Sequence, residues 1–277
     1  SSSELGMPVI AWVNDLTNSM YADWPKTLKD MTRYRWMSGL PLIQQNFFQL
    51  VVLLDMRDPR ALLLLGMYLD ATLMDYAIRW GIVPLLEDED CHVLAQLLWL
   101  GMEQLAALEI PLFLQKLAAT PLTPEGRVDP KQARAVLRSM LPASAQEDNE
   151  LMAFLNGGER ISGYKRLLEL AKSYLGRLHT MKRPGSSGVA YFNGQEVSLD
   201  EHLISQVFAA TKYQLQMAWD DIRDGYIDSQ DRYTRYFYDL RDTKSRRSAL
   251  VTMVEDAQSF VRPSVYVRLP DVTRELG

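Results

Sequence analysis

The sequence predicts a mainly α protein of about ten helices, with one small β-hairpin near 189–197 and a short C-terminal strand at 264–269. Three observations predict it. Apolar residues recur at spacings of three and four through much of the chain. Aspartate followed by proline opens two of those stretches, at Asp58-Pro59 and Asp129-Pro130, where the carboxylate caps exposed amides and proline loses no hydrogen bond. Asn193-Gly194 supplies the positive φ angles of a tight hairpin turn.

Taken in order, 40–56 reads as a first helix. A second starts at Asp58-Pro59 and runs to Trp80, because Leu62, Leu65, Leu69, Leu73, Tyr76 and Trp80 share one face. Leu63, Leu64, Met67, Met74 and Ile78 fill much of the other side, which places this helix centrally with Asp70, Asp75 and Arg79 on a narrow polar edge. Gly81 reads as its stop. A third stretch, 92–117, is broken near Pro111. Pro and Gly punctuate 121–130 as a linker. Helices follow at 130–140, 145–156 and 162–180, and the hairpin projects between helices as a candidate contact arm. Ser198-Leu199-Asp200-Glu201 matches a capping box and starts a helix to about Arg223, with further helices at 231–242 and 244–261. The expected organisation is an apolar, acidic helical body over 1–120, a linker over 121–130, and a more basic helical part over 131–277. In the N-terminal stretch Trp12, Tyr21, Trp24, Tyr34 and Trp36 are expected to cap the core.

Composition narrows the classes. With 47% hydrophobic residues the chain has enough apolar surface to fold, and 15 Gly and 13 Pro exclude collagen-like architecture. Cys91 is the lone cysteine, which excludes an intrachain disulfide and cysteine-rich zinc sites. The apolar runs 47–54 and 61–69 are too short to span a bilayer, which takes about 20 residues. The first six residues show neither the basic start nor the apolar run of a signal peptide. A cytoplasmic, reducing setting without a membrane span is the expectation.

Charge is unevenly placed. Residues 1–120 hold 8 basic and 14 acidic side chains, whereas 121–277 hold 22 and 21. Two later segments are strongly basic: Arg160, Lys165, Arg166, Lys172, Arg177, Lys182 and Arg183 in the first, and Arg232, Arg235, Arg241, Lys244, Arg246 and Arg247 in the second. Tyr233, Tyr236, Phe237 and Tyr238 interleave with the second set. Such cations match phosphates and such rings stack on unpaired bases, so the two segments are the candidate RNA- or DNA-binding residues. The same run equally describes solvated helix faces, or a dock for an acidic partner.

Asp220, Asp224 and Asp228 are the candidate metal ligands. Counted from Asp220, the segment 220–231 places Gly225 sixth and Asp231 twelfth, an order that resembles an EF-hand calcium loop. Ile222 stands where that loop needs an oxygen, and Asp231 replaces its long glutamate. Asp220-Asp221-x-x-Asp224 resembles the aspartate-rich motif of isoprenoid synthases, which implies magnesium held against a diphosphate. The plain alternative is a solvated helix end stopped by Gly225. His92, His179 and His202 have no metal-ligand spacing. Cys91 follows the acidic run 87–90, which reads as a helix start, and shows no activating neighbour. No phosphate-cradling glycine loop or Gly-x-Ser-x-Gly is present. These readings point away from an enzyme and require no cofactor. They favour an assembly or regulatory module acting through protein–protein contact, with self-association expected; nucleic-acid binding is the second reading and a Mg- or Ca-dependent protein the third.

Overall fold

Five strands form a mixed sheet in the order β1-β3-β2-β4-β5, and this overturns the mainly α expectation. The computed structural model describes residues 9–30, 41–159, 161, 163–175, 187–193, 195–229, 253–255 and 261–263. At the centre, β2 (Phe48–Leu54) and β3 (Ile78–Pro84) run parallel in the register Phe48↔Ile78 through Leu54↔Pro84. The crossover between them is α1 (Pro59–Thr72). On one side β1 (Ala11–Trp12) lies antiparallel to β3. On the other, β4 (Val189–Phe192) lies antiparallel to β2, and β5 (Gln195–Ser198) antiparallel to β4.

The misreading has a physical cause. All seven residues of β3 are buried, as are all of β2 except Gln49. A strand covered on both faces shows no apolar–polar alternation, so its run also fits a helical period. Thus 40–56 holds a strand, and the helix expected to reach Trp80 ends at Thr72, whose Oγ1 donates to the Tyr68 carbonyl at 2.6 Å. Gly81 ends no helix. It sits inside β3, where a Cβ would stand 2.5 Å from Ile10 Cγ2 and 2.8 Å from Trp12 Cζ3, so only glycine lets β1 approach.

The remaining elements follow the capping logic. Asp58 Oδ1 accepts from Arg60 N at 2.9 Å, Asp129 Oδ1 from Lys131 N at 2.8 Å, and Asp148 Oδ1 from Glu150 N at 2.9 Å. These caps start α1, α4 (Pro130–Met140) and α5 (Asn149–Leu155); α2 (Glu89–Gln104) starts at the acidic run, and α3 (Ile110–Ala118) carries Pro111 in its first turn. The capping box is displaced. Ser198 ends β5 and is buried, Asp200 Oδ1 accepts from His202 N at 2.8 Å instead, and α7 (Leu203–Arg223) begins just after. Gly225, at φ +82°, closes that helix end as expected.

The hairpin turns at Asn193, whose φ is +44°. It is no projecting arm: Asn193 Oδ1 accepts from Gln49 N at 2.8 Å, and β4 is built into the sheet against β2. The segment 122–128 folds on itself through a Leu122↔Val128 bridge, and Val128 N donates to the Arg57 carbonyl at 2.9 Å. Buried residues before and after it, including Leu117 and Leu137, join one apolar cluster. At the N-terminal end Asn14 stitches β1 to β3, donating to the Ile78 carbonyl at 3.0 Å and accepting from Trp80 N at 2.8 Å. Tyr21 is buried and its hydroxyl donates to the Leu73 carbonyl at 3.0 Å; Tyr34 and Trp36 lie outside the described residues. Of the helix expected over 244–261, β6 (Met253–Glu255) and β7 (Val261–Pro263) form an antiparallel pair. The helix at 231–242 and the strand at 264–269 fall outside the described residues. Among those described, no helix is long and apolar enough to cross a membrane.

Candidate functional site

Open α/β sheets place ligands and chemistry beyond the carboxyl ends of their parallel strands. Here β2 and β3 end side by side, with Leu85 N donating to the Leu54 carbonyl at 2.9 Å. Each then turns into a helix, α1 or α2, so two helix N-termini converge on one spot. Arg57 fills it. Its side chain is only 8% exposed, and a buried guanidinium requires partners. Asp55 provides two oxygens, taking Nε and Nη2 at 3.0 Å each. Glu87 and Asp88, from the loop after β3, take the second Nη2 hydrogen and one Nη1 hydrogen. Arg127 adds a longer contact of 3.8 Å to Asp88. One arginine thus ties the ends of both parallel strands to the 122–128 turn.

Electrostatics follow from that geometry. The hydrogen bonds that Arg57 donates to Asp55 and then Glu87 hold its guanidinium above its ordinary value despite burial. Asp88 caps α2, accepting from Cys91 N at 2.9 Å, and that bond and Arg57 hold its carboxyl below the usual range. Cys91 is fully buried one turn into α2, and burial pushes its thiol up to about 11. Near neutral pH the cluster therefore holds a permanent cation, an ionised Asp88 and a protonated thiol. It fixes loops and presents charge; it offers no thiolate nucleophile. No signal in the basic or aspartate-rich segments pointed to Arg57. A usable one existed: an unbroken apolar run, Leu50-Val51-Val52-Leu53-Leu54, followed by Asp-x-Arg-Asp-Pro, is a buried strand running into a capped helix.

The sequence-derived candidates among the described residues are not gathered at this spot. Lys165, Arg166 and Lys172 lie exposed on the outer side of α6 (Tyr164–Leu175), opposite buried Leu167, Leu168 and Ala171. Arg160, Arg177, Lys182 and Arg183 lie outside the described residues, as do Arg232, Arg235, Arg241, Lys244, Arg246 and Arg247. Asp220, Asp224 and Asp228 are exposed around the end of α7. Arg223 spans the first two, reaching Asp220 at 3.2 Å and Asp224 at 2.9 Å. Among the described residues no group of three His, Cys, Asp or Glu side chains is placed to hold a metal ion.

No curated protein matches the chain. A family model described as a thioredoxin-like domain matches residues 1–251, and its α/β character agrees with the five-stranded mixed sheet. That match overturns the readings of an all-α assembly or regulatory module and of a helical nucleic-acid binder. Nine-tenths of the sequence falls within the match, and the chain belongs to the thioredoxin-like domain family.

Proposed function

We propose that the chain has a disulfide-handling role in which the exchanging thiols belong to a substrate or partner, not to the domain itself. Dithiol exchange in this fold uses a Cys-x-x-Cys pair at a helix N-terminus, where the dipole and nearby cations depress a thiol pKa. The α1 N-terminus carries Arg57-Asp58-Pro59-Arg60. The observation that carries the proposal is the position and state of Cys91: the lone thiol stands beside this spot, yet it is sealed from solvent and held protonated. A thioredoxin-like frame with that end locked by Arg57 can bind and orient a chain whose cysteines react elsewhere.

The test has two arms. In an insulin-reduction assay driven by dithiothreitol, the chain alone should add nothing to the chemical rate. In glutathione-driven refolding of a reduced, disulfide-rich protein, the same chain at equimolar concentration should change the rate or the pairing outcome, and Cys91→Ala should act like the parent. Catalysis of insulin reduction by the parent that Cys91→Ala lacks would refute the assignment of the thiols to another molecule. No effect on refolding at any ratio up to equimolar would refute the role.

A further inference from the structure

A groove of about 870 Å³ lies between the start of α2, the outer side of α4 and the end of α5. Its volume is within the roughly 300–1,000 Å³ of small-ligand sites. Lys131, Arg134 and Arg138 line it from α4, and their spacing of three and four places them along one helix face. Arg138 is held in place, donating from Nη1 to Asn156 Oδ1 at 2.8 Å. Arg134 is the unusual member. Its guanidinium sits 4.7 Å over the Phe154 ring, and its Nε is sealed from solvent with no acceptor.

Two carboxylates also line the groove, but Asp129 is engaged in capping α4 and Asp90 belongs to the first turn of α2. Among the described residues neither acid is within ion-pair distance of Lys131, Arg134 or Arg138. Arg134 is half-buried without an ion-pair partner among the described residues, and desolvation lowers its pKa. Stacking on the Phe154 ring offsets part of that desolvation but satisfies no N–H, whereas a bidentate oxyanion suits a planar guanidinium. Val93, Ala135 and Leu155 supply an apolar lining, and Gln146 and Ser139 supply hydrogen-bonding groups. Gly157, at φ +100°, forms the rim; a Cβ there would stand 3.5 Å from Arg134 Nη1, within ordinary contact of the guanidinium.

We propose that this groove binds a small ligand bearing one oxyanion, a carboxylate or a phosphate monoester, with Arg134 and Arg138 clasping the anion and the apolar lining taking its body. The site needs none of the Arg57 cluster, so it stands whether or not the disulfide-handling role does.

The test is a ¹H–¹⁵N titration of the whole chain with inorganic phosphate and, separately, with N-acetylleucine, at ionic strength matched by chloride. Saturable shifts are expected at the Gly157 amide and the Arg134 Nε–H. Arg134→Met, which keeps the stem over Phe154, should weaken binding roughly tenfold, the loss of a charged hydrogen bond. Arg138→Glu, at an exposed position, should abolish it, and this second variant decides the matter if the first does not fold. Lys165→Gln on α6 should bind as the parent does. Saturation by phosphate alone assigns a phosphate monoester, and saturation by N-acetylleucine alone assigns a carboxylate. Shifts that never saturate, or that survive Arg138→Glu, would overturn the proposal.

Discussion

Replacing Arg57 by leucine tests whether one buried cation holds the ends of the parallel strands together. The leucine keeps most of the apolar stem, so the loss is chiefly electrostatic. The Asp55 pair dominates, because both partners are shielded, at 8% and 21% exposure, and the contact is bidentate at 3.0 Å. Removing one partner from a buried pair costs about 3–5 kcal/mol, and the partial exposure of Asp55 brings this to about 2–3 kcal/mol. Glu87 and Asp88 are 63% and 43% exposed, so each contributes only about 0.2–1 kcal/mol and is screened by salt. Urea unfolding at pH 7, followed by tryptophan fluorescence, should therefore show Arg57→Leu less stable by about 2.5–5 kcal/mol. Raising salt from 0.05 to 0.5 M should shrink the difference by well under half. The double variant Arg57→Leu, Asp55→Leu should be more stable than Arg57→Leu alone, because the most shielded of the three carboxylates is no longer left stranded and Glu87 and Asp88 stay largely exposed to water. A cost for Arg57→Leu within 0.5 kcal/mol of zero, or additive effects of the two changes, would refute the reasoning.

Two further outcomes follow from the same geometry. Gly81→Ala forces a methyl to within 2.5 Å of Ile10 Cγ2 and 2.8 Å of the Trp12 ring, so β1 must shift; a loss of about 1–3 kcal/mol in urea unfolding is expected, with altered tryptophan emission. Asp88→Ala removes the α2 cap and should cost about 1 kcal/mol at pH 7. Because the folded-state pKa of Asp88 lies below the ordinary aspartate value of 3.8, its contribution is present above that pH and is lost as pH falls through the lower folded value. Parent and variant acid-unfolding curves should accordingly converge below pH 3.8; curves that stay parallel there would contradict the role given to Asp88.

What was legible in the sequence was whatever local chemistry decides. Asp58-Pro59 and Asp129-Pro130 start helices because a carboxylate and a proline act within one turn, and Asn193 turns a hairpin for an equally local reason. What was illegible was decided by pairing across the chain. Leu73, Tyr76 and Trp80 share a helical spacing, yet Trp80 faces Leu50 across two strands. Nothing within ten residues of Gly81 shows that Ile10 and Trp12 press against it. The candidate site around Arg57 was hidden for a related reason. Asp55 and Arg57 look like ordinary surface charges until Glu87 and Asp88, some thirty residues on, close around them. The basic segments drew attention because charge counts are visible in one dimension, whereas the Arg134 groove depends on Phe154, twenty residues away, and on Asp90 at the start of another helix.

The state of Cys91 gathers these points. A thiol in the first turn of a helix, next to an arginine, sits in the environment that ordinarily lowers its pKa. Here each favourable influence is already engaged. The backbone N–H of Cys91 is given to Asp88 at 2.9 Å, and the positive end of α2 faces Asp88, Glu89 and Asp90. Arg57 is bound by Asp55, Glu87 and Asp88. Removal from water then decides the balance, and the thiol stays protonated. Freeing one influence is not enough to reverse this. With Asp88→Asn the neutral cap still takes the amide and the thiol stays buried, so its pKa should fall while remaining above the 8.5 of a free cysteine. Titration of the Cys91 thiol by ultraviolet absorbance at 240 nm checks this, and a midpoint below 8.5 in the folded variant would show that Asp88, not burial, keeps the thiol silent.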